Sequence, residues 1–140
     1  MNLNIKKNFI ERQLKHIRLV QDYMFFLEMN RGKLPFSIDE FTLIERSFFH
    51  DTTKFSKQFV GRYLTIAEYK ENEKNNISNE HIDHNVLFDC TKEYYKAEPH
   101  HMEHHYKNGT LPSNLDICEN AVILRQIQIE MIEMIMLNGF

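Results

Sequence analysis

The stretch FFHDTTKFS, residues 48–56, sets His50 and Asp51 side by side and follows them with Lys54. Neutral imidazole and carboxylate are ligands for Zn, Mn, Fe or Ni, whereas Ca requires an oxygen-rich site. Adjacent residues on a helix point about 100° apart, so both can reach one ion only at a helix end or in a pocket between helices. His16 adds an imidazole from a second element. Together His16, His50 and Asp51 form a three-ligand core with positions left for water and substrate, where an ion lowers the pKa of bound water and polarises a phosphoryl oxygen. Lys54, one turn on, puts a positive charge near that phosphate. In this reading Phe48 and Phe49 anchor the helix end in the core. The plainer alternative is a solvent-facing turn with Asp51 and Lys54 as an exposed pair.

Six of the eight histidines fall between residues 81 and 105. His81 and His84 are spaced i, i+3. His100/His104 and His101/His105 are i, i+4 pairs, the spacing at which two imidazoles chelate one ion from a single helical turn. A histidine-rich turn also binds metal adventitiously, and a lone helical histidine is more often a surface or hydrogen-bonded residue.

These residues need helices to position them. Ile5, Phe9, Ile10, Leu14, Ile17, Val20, Met24 and Leu27 repeat at helical spacing, and Gly32 and Pro35 stop the segment near Met29. Ser37 with Glu40 three residues on is a capping-box signature, which starts a second helix that ends near His50–Asp51. A third starts around Ser56 and fades in KENEKNN. Ser78 or Asn79 caps a fourth that runs to about Ala97. A short helix around His101 follows Pro99, and the last runs from about Leu115 to Leu137. No period-2 strand pattern and no internal repeat interrupts this series. The expectation is an all-α fold: one domain over residues 1–140, a compact bundle of about five to six helices.

One hundred and forty residues suffice for one core without staples. Seventeen Lys and Arg against 20 Asp and Glu give a net charge of −3, so no broad basic field is available for a nucleic-acid backbone. No apolar run approaches the roughly 18 residues a membrane span requires. The N-terminal segment lacks the core and cleavage site of a signal peptide. Cys90 and Cys118 form no C-x-x-C pair and read as reduced thiols of a cytoplasmic protein. A glycine-rich phosphate loop, a G-x-S-x-G elbow and an H-E-x-x-H motif are all missing.

The order His16, then His50–Asp51 after a helix-sized gap, resembles that of the HD-domain metal phosphohydrolases, an all-α superfamily. More specifically, HDTTKFSKQFVGRY is similar to the signature of a small uncharacterised family of phage and bacterial proteins (domain-of-unknown-function family number 5662), carried here by His50, Asp51, Lys54, Phe55, Ser56, Phe59 and Tyr63. A second block of that family is matched in YYKAEPHHMEHH at Pro99, His100, His101 and Glu103. The chain departs from that block at Tyr94, Glu98 and His105, where the family has His, Asn and Trp. It also lacks the acid that closes the family's C-terminal E-M-x-x-D; Glu130 or Glu133 would have to replace it as a ligand.

The resemblance implies an HD-like bundle acting as a divalent-metal-dependent phosphohydrolase on a nucleotide or other small phosphorylated molecule. His16, His50, Asp51 and Glu130 would hold a Mn, Fe, Ni or Zn ion. Asp51, Lys54 and His101 would carry the catalysis, and Lys54, His84, His100 and His101 would line the substrate side, with a histidine protonating the leaving oxygen. Two alternatives stand beside this. One is a helical protein that binds a metal or nucleotide without turnover, favoured by the missing C-terminal acid. The other is an interaction module, a homodimer through the last helix, which is apolar on more than one face at Ile127, Ile129, Met131, Ile132, Met134, Ile135 and Met136; such a helix is more often core.

Overall fold

The long apolar stripe at the start of the chain forms α1, Leu3–Met29, opened by Asn2, whose side-chain oxygen accepts from the Asn4 amide at 2.9 Å. The computed structural model describes the backbone of residues 2–138 and the side chains of residues 2–126 and 128. Five further helices follow: α2 (Thr42–Phe49), α3 (Val60–Lys74), α4 (His84–Ala97), α5 (Met102–Asn108) and α6 (Asn114–Asn138). Two 3-10 turns, Arg31–Lys33 and Thr52–Phe55, lie after α1 and α2. No strand occurs among the described residues, and the all-α expectation holds.

Helix α1 is the spine. It packs against α2, α3 and α6, while α4 joins the body through α3 and α5. Only part of the sequence stripe on α1 is used: Phe9, Ile17, Val20 and Met24 are buried, whereas Ile10 and Leu14 are exposed. Two apolar clusters result. Val20 and Met24 meet Leu43, Cys118 and Val122 in one; Phe59, Cys90 and Tyr94 form the other. Fully burying such a side chain contributes about 1.5–3 kcal/mol, so each cluster ties its helices together. The contributors to the polar site come from α1, the α2 end, α4, α6 and the turn before α5, elements drawn from both clusters.

Three helix starts differ from the capping signals in the sequence. Helix α2 begins at Thr42, not Ser37, because Leu34, Phe36 and Ile38 are drawn onto the first cluster and hold residues 34–38 as a loop. The Arg31 guanidinium donates to the Ile38 carbonyl, and Glu28 accepts from the Phe41 amide. Helix α3 begins at Val60, not Ser56, since residues 52–55 take up the 3-10 turn. Helix α4 begins at His84, capped by Asp83, which accepts from the Asn85 amide. Asn79 is occupied elsewhere: it accepts from the Asn72 amide group and donates to the Tyr69 carbonyl.

Candidate metal centre

The inward face of α2 is Leu43, Ser47 and His50, a stripe at i, i+4 and i+7. Phe48 and Phe49 lie on the other side, 55% and 66% exposed, so they do not anchor the helix end in the core. The turn is fixed instead by its polar residues, with His50 and Asp51 each only 2% exposed. The exposed Asp51–Lys54 pair of the plainer alternative is therefore not what forms. Asp51 has φ +56°, the left-handed region, which Asp tolerates better than most residues. Helix α2 has ended by then, so the 100° divergence of helical neighbours no longer applies and both side chains face α1.

There they meet His16. Its Nε2 lies 3.0 Å from His50 Nε2 and 3.1 Å from Asp51 Oδ2, and the remaining edge, His50 Nε2 to Asp51 Oδ2, is 3.7 Å. Ligand atoms held about 2.0–2.2 Å from one ion at tetrahedral or octahedral angles are about 2.8–3.6 Å apart. The three atoms are close to that spacing.

Glu119 on α6 completes the arrangement behind His50. His50 Nδ1 donates to Glu119 Oε1 at 2.7 Å. With Nδ1 directed at Glu119, the ring turns its Nε2 toward His16 and Asp51, the outer carboxylate–histidine arrangement that orients a metal ligand. Arg46 holds Glu119 in turn, with Nε 2.6 Å from Oε2, and its other arm lies 2.6 Å from Asp116 Oδ1. Ser113 donates to Asp116 through both its amide and its hydroxyl. Burial opposes charge on Glu119, but the His50 bond and the Arg46 guanidinium outweigh it and hold the carboxyl below its ordinary range.

Both oxygens of Asp51 are engaged. The Tyr94 hydroxyl donates to Oδ1, and the Lys54 ammonium donates to Oδ2 at 2.5 Å. Burial pushes the Asp51 carboxyl up, yet His16, Lys54 and His50 together overcome it and keep it ionised well below the usual carboxylate range. Burial and the adjacent Asp51 carboxylate drive the Tyr94 phenol far above its ordinary value, so it remains a donor. Lys54 Nζ also lies 5.5 and 5.1 Å from the ring centres of Tyr63 and Tyr94.

His100 closes the cluster from the turn before α5. Its Nδ1 is 3.4 Å from Glu119 Oε1 and its Nε2 is 3.8 Å from Asp51 Oδ1. Burial lowers its pKa to about 3 against the pull of Glu119, so the ring is neutral. The Asn120 side chain fixes the turn by donating to the His100 carbonyl at 2.9 Å. Two overlapping triads thus bring three ligand atoms within 4.8 Å of one another: His16–His50–Asp51, and His50–His100–Glu119. The first is the better candidate for a cation. In the second, Glu119 is already committed to the His50 Nδ1 proton and to the Arg46 guanidinium, whose charge repels an ion.

The remaining sequence candidates fall in different places. His101 stacks on Tyr95 with ring centres 4.2 Å apart and touches the Tyr94 and His100 rings, beside the cluster. Burial lowers its pKa. His84 packs edge-on against Tyr69, and His81 lies 3.8 Å from Glu68; among the described residues neither contacts the cluster. The i, i+4 pairs of HHMEHH do not share one helix, because α5 starts only at Met102. His104 Nδ1 faces the Lys96 carbonyl, while buried His105 bridges the Pro99 carbonyl and the Thr110 hydroxyl. The Glu130 and Glu133 side chains, and the apolar residues of α6 from Ile127 on that were read as core or a dimer face, lie outside the described residues.

Glu119, Arg46 and Tyr94 were not among the sequence candidates as ligand supports. Tyr94 stood out only as a departure from a histidine; its hydroxyl now lies on the same carboxylate as the site. Nothing local marks Glu119, which reaches His50 across 69 positions of chain.

No curated protein and no solved structure matches the chain. A family model does, over residues 5–136, which takes in every residue of the cluster from His16 to Glu119. The chain belongs to that family, described as a family of unknown function (DUF5662).

Proposed function

We propose that the protein is a divalent-metal-dependent phosphohydrolase of HD-like type, acting on a nucleotide or similar small phosphoester. The observation that carries this reading is the convergence of His16 Nε2, His50 Nε2 and Asp51 Oδ2 within 3.0–3.7 Å of one another beside a lysine. The donor set suits Mn, Fe, Ni or Zn. Such an ion supplies an activated water and a Lewis acid for a phosphoryl oxygen. The chain's own residues do the rest. Glu119 keeps the His50 proton on Nδ1, Arg46 keeps Glu119 in place, and Tyr94 and Asp51 lock each other's orientation. Lys54 is the cation nearest to the site, suited to a phosphate oxygen. His101, beside the cluster and of lowered pKa, is the candidate proton donor to a leaving oxygen.

A second reading has a specific observation in its favour. Each Asp51 oxygen already accepts from a side chain, Tyr94 on one and Lys54 on the other, which suits a pocket that holds a metal or a phosphorylated ligand without turnover. A screen of phosphomonoesters, phosphodiesters and nucleotides with protein reconstituted in Mn, Fe, Ni or Zn separates the two. The phosphohydrolase reading requires turnover that disappears in Asp51→Ala. Ligand binding with no turnover by any metal form selects the second.

A further inference from the structure

Two donors crowd Asp51 Oδ2, and the His50 ring nitrogen faces it as well. His16 Nε2 is 3.1 Å away, His50 Nε2 3.7 Å and Lys54 Nζ 2.5 Å. The ammonium therefore rests on the same oxygen that the three-ligand core would present to a divalent ion. Two cations sharing one buried carboxylate oxygen repel each other strongly, since little water screens them. Lys54 has somewhere else to go. Its Nζ already lies over the Tyr63 and Tyr94 rings, whose faces attract a cation, and the side chain is 16% exposed where Asp51 is nearly sealed.

We infer that Lys54 is a placeholder for the metal: it neutralises Asp51 in the metal-free protein, is displaced when a divalent cation binds, and then serves as the anchor for an oxyanion at the mouth of the site. This rests on the metal-site reading above and adds an order of binding to it. Cation first, phosphate second, follows because the ammonium tied to Asp51 is unavailable to an anion. Linkage makes the coupling reciprocal: phosphate, by drawing the ammonium outward, favours metal binding by the same factor. The lysine weakens the cation and strengthens the anion, opposite effects from one side chain. A static ion pair would share these two affinity effects through its charge alone, but would leave the Lys54 amine equally accessible with and without the ion.

The test uses Mn2+ and inorganic phosphate as probes. Calorimetric titration of Mn2+ into wild type and Lys54→Met should show the variant binding about tenfold more tightly. Phosphate should bind the Mn2+-loaded variant about tenfold more weakly than the loaded wild type. In parallel, the rate of amine acylation at Lys54 in wild type, followed by mass spectrometry, should rise when Mn2+ is added. That measurement decides the matter if Lys54→Met does not fold. Equal or weaker Mn2+ binding by a folded variant, or Lys54 acylation indifferent to Mn2+, overturns the placeholder role while leaving the metal site standing. Wild type that binds no divalent ion overturns both.

Discussion

At the scale of single residues, the account rests on which atom of each side chain is committed. His50 donates from Nδ1 to Glu119 and so offers Nε2 to the site. Glu119→Gln keeps the size and removes the charge that fixes this proton. Its metal affinity should fall about 10–100-fold in titration calorimetry, as for other outer partners of metal-ligating histidines. His100 governs acid sensitivity. Burial holds its folded pKa near 3, below the 6.5 of a free imidazole, so the unfolded chain binds the extra proton first. The contribution of His100 to the stability of the metal-free protein is therefore fully present above about pH 6.5 and is lost as pH falls from there toward 3. Asp51 and Glu119, both depressed, add losses in the same direction below the usual carboxylate range. His100→Asn should flatten the decline between pH 6.5 and 4.5 in urea melts, whereas an unchanged slope would assign the acid loss to other groups. Residue types made a polar grouping at His50 and Asp51 legible from FFHDTTKFS, and both side chains are buried together. The partners were not legible, because Arg46, Tyr94 and Glu119 are brought together by packing.

At the scale of elements, the helix count came through in the apolar spacing, but the inward faces did not all follow hydrophobicity. Helix α2 turns Ser47 inward with His50 at its end and leaves Phe48 and Phe49 outside. Capping signals were also outcompeted. Ser37 is held in a loop by its apolar neighbours, and the Asn79 side chain satisfies Asn72 and Tyr69. The histidine pairs of HHMEHH failed because Pro99 and the turn after it separate His100 and His101 from α5. Helix α4 bears on the site through one hydroxyl. Tyr94→Phe keeps the ring packed edge-on against Phe59 and Tyr63 but strips Asp51 Oδ1 of its donor. The expected loss is about 1.5–3 kcal/mol in the metal-free protein, as for a hydrogen bond to a charged group, measured by denaturant unfolding. A loss comparable to a ring deletion would mean that packing, not the hydroxyl, is what α4 supplies.

At the scale of the whole molecule, the site joins parts that the apolar clusters hold separately. His16 lies on the spine, His50 and Asp51 at the α2 end, Tyr94 in the second cluster and Glu119 on α6. An ion held by the first three would clamp α1 to the α2 end, and any ligand that binds only the folded chain stabilises it by mass action. Divalent ion at about a hundred times its Kd should add about 2.7 kcal/mol, seen as a rise in Tm that a chelator reverses. Among the described residues no helix is long and apolar enough to cross a membrane. The single-bundle expectation thus extends to how the site is built: polar groups from five places in the chain form one network. The most direct measurement of the central claim is elemental analysis of tag-free wild type beside Asp51→Asn, chosen because Asn also tolerates the left-handed backbone at that position. One equivalent of divalent metal in the wild type and none in the variant is the predicted result. Equal metal in both, or none in either after reconstitution with Mn, Fe, Ni or Zn, would contradict it.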